Sequence, residues 1–167
     1  YYKSKKINFS FPKSQQKSDP ISLDFMSFLY LYSSRKINLI GTYGLMHKKT
    51  LIKIGGILRL GKEFSPYSDD LIPILLANKG IILWDDSPLF LLRTHSNSKS
   101  VKSLNFNEYS SSEKIFFEHL NKLDFKIYPK KCLDKIYAGF IRWFAVNKWA
   151  VLDRNPNLSL NSKIKFF

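Results

Sequence analysis

The sequence predicts an α/β fold that passes into a helical C-terminal extension, and three observations predict it. Short apolar runs bounded by turn residues, at 37–46, 80–84 and 88–93, read as strands and alternate with stretches of helical periodicity at 21–34, 48–54 and 67–80. Beyond residue 108 only helical periodicity remains. A composition that is 44% hydrophobic and 16% aromatic supplies a core for one folded unit and excludes a disordered chain. The expected organisation is an arm over 1–20, an α/β portion over 21–108, and a helical extension with a basic tail over 109–167.

The elements follow from local chemistry. Residues 1–20 are rich in Lys, Ser, Gln and Pro without a period, as a connecting arm is. Ser22 is the expected cap of a helix whose apolar residues Phe25, Phe28, Leu29 and Tyr32 recur three and four apart, ending near Ser34. The run at 37–46 reads as a strand interrupted by Gly41 and Gly44, where a missing side chain lets another backbone or a ligand approach. A short helix at 48–54 is stopped by Gly55 and Gly56.

Residues 67–80 read as a helix ended by Gly80. Pro73, which has no amide hydrogen, is expected in its first turn, so that the helix begins near Asp69 or Asp70. Ser110 and Glu113 have capping-box spacing and open a helix bearing Ile115, Phe116, Leu120 and Leu123. The last helix, over 131–152, puts Ile136, Tyr137, Phe140, Trp143 and Phe144 on one face.

The formal net charge is +14 and lysine carries most of it; the arginines are Arg35, Arg59, Arg93, Arg142 and Arg154. Dispersed lysines act as solvated point charges, which suit an anionic headgroup layer or a substrate diphosphate and disfavour base reading in nucleic acid. No apolar run approaches the roughly 18 to 20 residues that a bilayer crossing needs. The single cysteine, Cys132, excludes an internal disulfide, fits a reducing, cytoplasmic compartment and is expected to fill core space. The chain opens at Tyr1 without a leader-like pattern, so upstream sequence is expected to be missing.

Three segments carry most chemical information: GTYGLMHKKTLIKIGG at 41–56, SDDLIPILLANKG at 68–80 and RTHSNS at 93–98. In this order they resemble the acceptor-side, C-terminal half of a family-two, inverting nucleotide-sugar glycosyltransferase of the GT-A fold. The resemblance covers about residues 37–100. It implies that Asp70 is the base that takes a proton from the acceptor hydroxyl, a step inverting transfer needs because a neutral hydroxyl is a weak nucleophile. Asp69 stands where the family usually has glutamate and, with Gly41 and Gly44, would border the acceptor.

The resemblance also implies that Arg93 and Ser98 bind the donor diphosphate and that His95 ligates Mn²⁺ or Mg²⁺. The acceptor would be a cell-envelope glycan or a lipid-linked glycan, and the enzyme would work at the cytoplasmic face of a membrane. His47, Lys48 and Lys49 are further candidates to face an anionic acceptor.

Each of these residues also has a structural reading. Ser68, Asp69 and Asp70 have the chemistry of a helix N-terminus, a histidine after a strand serves as a hydrogen-bonded structural residue, and Arg93 has Asp85 and Asp86 as possible partners. The sequence has no Asp-x-Asp motif and no glycine-rich phosphate loop, so the donor half and most of the metal site are expected to be absent. The competing functions are a non-catalytic basic binding module, for a membrane surface or nucleic acid, and a transferase remnant that scaffolds partners.

Overall fold

The computed structural model describes residues 20–37, 44–61, 65–85 and 105–155. In chain order these form β1 (Ile21–Leu23), α1 (Phe25–Ser33), α2 (Lys48–Lys53), α3 (Ser68–Ala77), β2 (Ile82–Trp84), α4 (Phe106–Asn121) and α5 (Lys130–Asp153). The described residues are thus mixed α and β, mostly helical, with one small sheet. β1 and β2 pair antiparallel, Ile21 opposite Trp84, Ser22 opposite Leu83 and Leu23 opposite Ile82. An isolated two-stranded ribbon is marginal in water. Here Leu23 is buried, and Ile82 and Trp84 pack on the same core, so the ribbon ties the entry of α1 to the exit of α3.

Several boundaries differ from the sequence expectation. Ser22 belongs to β1, and α1 is capped by Asp24, whose carboxylate accepts from the Ser27 amide at 2.8 Å and its hydroxyl at 3.1 Å. α4 begins at Phe106, capped by Asn105, which accepts from the amides of Asn107 and Glu108; the Ser110–Glu113 capping box does not form because the helix has already started. α3 ends at Ala77 with Asn78 as its C-cap, short of Gly80.

Pro73 is the sixth residue of α3 and lies inside it, where it cannot donate to the carbonyl of Asp69. Residues 44–47 carry no strand, residues 38–43 and 88–93 lie outside the described set, and Cys132 is exposed at the start of α5 and fills no core.

α1 packs on α5 and α3, and α4 on α5 and α3. The core they share is an aromatic seam: Phe28, Tyr32, Phe116, Phe140 and Phe144 are all fully buried. The ring of Phe116 lies 5.1 Å from Phe140 and 4.9 Å from Phe144, and Tyr32 meets Phe140 edge-on at 6.2 Å. Burying each such ring contributes on the order of 1.5–3 kcal/mol, and edge-to-face pairs about 0.5–1.5 kcal/mol more. At the rim Lys148 and Glu113 link α5 to α4 at 2.6 Å, and the buried Ser112 hydroxyl donates to the Leu60 carbonyl at 3.2 Å, which holds the segment before α3 against α4.

One glycine decides how closely α1 and α5 meet. A Cβ on Gly139 would stand 2.7 Å from the Ser33 carbonyl oxygen and 2.9 Å from its carbon, both backbone atoms that cannot turn aside. Gly139→Ala therefore forces the helices apart and is expected to cost about 1–3 kcal/mol, read from the urea unfolding midpoint. The exposed Cys132→Ser should stay within about 0.5 kcal/mol of the parent; equal midpoints for both variants would show that the close approach does not limit the packing.

Candidate functional site

α1 ends in a Schellman motif. The amide of Arg35 donates to Tyr32 at 3.0 Å and that of Lys36 to Leu31 at 2.9 Å, and Arg35 takes the left-handed conformation with φ +57°. α2 closes in the same way, Gly55 donating to Ile52 at 3.1 Å and Gly56 to Leu51 at 2.9 Å, but there the left-handed residue is Gly55 at φ +95°. Glycine enters that region without strain, whereas an L side chain pays about 1–2 kcal/mol. An arginine at such a position has to be held by its side chain.

The Arg35 side chain is held on both sides. Its guanidinium stacks 3.7 Å from the centre of the Trp143 ring, and Nη1 and Nη2 donate to Asp70 Oδ1 at 3.2 and 3.3 Å. The Tyr32 hydroxyl donates to the same oxygen at 2.6 Å. All three donors converge on Oδ1 and none of them bridges to Oδ2. Burial and the Asp70 charge push the Tyr32 pKa well above its ordinary value, so this hydroxyl stays protonated and remains a donor. Arg35 and Asp70 side chains are 22% and 18% exposed, which places the pair between a screened surface bridge and a buried one.

The start of α3 is unusual in a second way. Its N-cap is Tyr67, also left-handed at φ +71°, with no side-chain cap bond. Its ring is wedged 4.0 Å from Phe144 and 5.8 Å from Tyr109, so packing substitutes for capping. Asn147 lies near the buried Tyr67 hydroxyl without hydrogen-bond geometry, and burial pushes that hydroxyl's pKa up. Asp70 is therefore not the helix cap that its sequence position allowed: its carboxylate turns to α1.

Asp69, one residue earlier, is exposed and carries none of this clamp. The protein packed around its carboxylate, and then the charge of Asp70, raise its pKa above the ordinary aspartate value. The described non-glycine residues at positive φ, Arg35 and Tyr67, both flank this carboxylate pair, and strained backbone of this kind collects at functional sites.

The structure brings together only part of the predicted set. Asp69 and Asp70 share the site; Gly41, Arg93, His95 and Ser98 lie outside the described residues. Gly44 is exposed, and a Cβ there would meet nothing within 4 Å, so the described residues give no steric reason for glycine. His47, Lys48 and Lys49 are exposed at the start of α2, with His47 Nδ1 3.0 Å from the Thr50 hydroxyl. Among the described residues no three His, Cys, Asp or Glu side chains gather to hold a metal ion, and Asp69 with Asp70 offers only an adjacent pair. No described helix is long and apolar enough to cross a membrane.

Sequence reasoning did not find Tyr32, Arg35 and Trp143. The available signal was Arg35 itself, standing just past an amphipathic helix where glycine or asparagine is usual.

In comparisons with known proteins no family model matches the chain, and neither a curated protein nor a solved structure matches it.

Arg35→Gly separates the two terms at this site. Glycine relieves about 1–2 kcal/mol of backbone strain, but it removes charge-assisted hydrogen bonds worth about 1.5–3 kcal/mol and a stacking contact worth about 1–2 kcal/mol. The expected result is a net loss of about 0.5–4 kcal/mol in urea unfolding; a variant about 1–2 kcal/mol more stable than the parent would mean that the clamp contributes nothing.

Proposed function

We propose that this chain is the acceptor-side portion of an inverting, GT-A-type glycosyltransferase that passes a sugar from a nucleotide-sugar donor to a glycan or lipid-linked acceptor. The observation that carries the reading is the carboxylate pair at the start of α3: Asp70 fixed through one oxygen by Arg35 and Tyr32, and Asp69 exposed beside it. The order of the three sequence segments around that pair supports it.

In this reading Oδ2 of Asp70, the oxygen outside the clamp, accepts the proton of the acceptor hydroxyl. The oxygen of the acceptor hydroxyl forms the new bond to the anomeric carbon from the face opposite the leaving group, and the bond from the sugar to the diphosphate breaks with its electron pair going to the nucleotide. The two residues that donate to Oδ1 fix the carboxylate's direction, so little reorganisation is needed at the moment of transfer. Asp69 orients acceptor hydroxyls. An upstream half would bind the donor and, with His95, the divalent cation that offsets the diphosphate charge.

The direct test uses a form of the protein extended upstream in its native gene, with a panel of nucleotide sugars, Mn²⁺ and a glycan acceptor mixture. Asp70→Asn is expected to lower transfer by about 10²–10⁴-fold while donor affinity stays within about twofold. Unchanged turnover would remove Asp70 as the base, and absence of any transfer or donor binding in the extended protein would remove the transferase reading.

A further inference from the structure

The junction of α1 and α5 opens outward into a groove of about 480 Å³ that the carboxylate site leaves unused. Among the described residues its charged lining is cationic, Arg35 from the end of α1 with Lys135 and Arg142 from α5, and no Asp or Glu lines it. Arg35 is neutralised by Asp70 from the other side. Lys135 and Arg142 are exposed, and among the described residues neither is in a salt bridge. They stand seven residues apart on one helix, about two turns, and so share a face roughly 10 Å long.

The remaining lining fits the organic part of a ligand. Trp143 and Tyr30 provide aromatic surface, and the small Gly139 keeps the groove floor low. Two N–H donors of lining residues, Arg35 Nε and Trp143 Nε1, are buried without an acceptor among the described residues. The end of α1, which would otherwise repel an anion, is partly masked. The carbonyls of Leu31 and Tyr32 are taken up by the Schellman pair, and that of Tyr30 by the hydroxyls of Ser33 and Ser34 at 3.3 and 2.7 Å.

We propose that this groove binds a phosphate ester bearing two or more negative charges, its phosphate oxygens between Lys135 and Arg142 and its organic portion against Trp143 and Tyr30. Arginine supplies a planar fork to phosphate and lysine a point charge, a combination suited to a diphosphate or a terminal monoester. The groove site stands apart from the transfer reading and shares only Arg35 with the carboxylate pair, so either can fail alone.

A soluble ester and a lipid headgroup present the same chemistry, and two arms separate them. The full chain is titrated calorimetrically with inorganic pyrophosphate, and in parallel mixed with phosphatidylcholine vesicles with and without phosphatidic acid. Lys135→Gln and Arg142→Gln are expected each to weaken binding by about tenfold and together to abolish it. The pair Lys114→Gln and Lys122→Gln, exposed on α4 and at its C-cap, removes the same charge from another face and should change binding by less than about twofold.

Pyrophosphate binding with this pattern assigns a soluble ester. Vesicle binding that needs phosphatidic acid and shows the same pattern, without pyrophosphate binding, assigns a headgroup. Absence of binding in both arms, or an equal loss in the α4 pair, overturns the proposal.

Discussion

The arrangement depends on how closely α1 meets α5 at Gly139. Because the Ser33 carbonyl occupies the space a Cβ would need, the end of α1 lies against α5 near enough for Arg35 to rest on Trp143 and reach Asp70. A wider gap would strand the guanidinium, and the left-handed turn at Arg35 would lose the contacts that offset its strain. The aromatic seam beneath sets the helices in place, but many side chains of similar volume could fill a seam. A glycine facing a carbonyl has no such substitute.

From that contact the two aspartates acquire different surroundings although they are neighbours in sequence. Asp70 meets two donor groups that are both fixed: a guanidinium stacked on an indole, and a phenol whose proton is retained by burial. Asp69 meets solvent, a crowded helix start and the negative charge next door, and its proton is held more tightly as a result. Placing unlike environments on adjacent carboxyls is a general route to dividing acid–base roles. Here it arises from α3 being anchored by Tyr67 packing, which frees both carboxylates from capping.

What the sequence revealed and what it hid follow from range. The mixed α and β composition, the positions of α1, α3 and α5, the glycine stop after α2 and the acidic pair at the start of α3 were legible, because each rests on periodicity or on a backbone preference within a few residues. Helix starts were read less well: Asp24 and Asn105 out-competed Ser22 and Ser110, and Pro73 sits deeper in α3 than its missing amide suggested, held by the buried Leu71, Ile72 and Ile74 around it.

The clamp was illegible. Tyr32 and Arg35 are 38 and 35 residues from Asp70, and Trp143 lies on the last helix. No local rule brings them together, and tertiary packing alone selects a left-handed arginine.

Two adjacent carboxyls differ because Asp70 is clamped by Arg35 and Tyr32, whereas Asp69 is crowded first by the protein packed around it and then by the Asp70 charge. Carbon-13 NMR titration of the Asp69 side-chain carboxyl in the folded chain measures this directly. A midpoint above the ordinary aspartate value of about 3.9, falling only part of the way back in Asp70→Asn because the protein packed around the carboxyl remains, is the predicted result. An ordinary midpoint that Asp70→Asn leaves unmoved would contradict it.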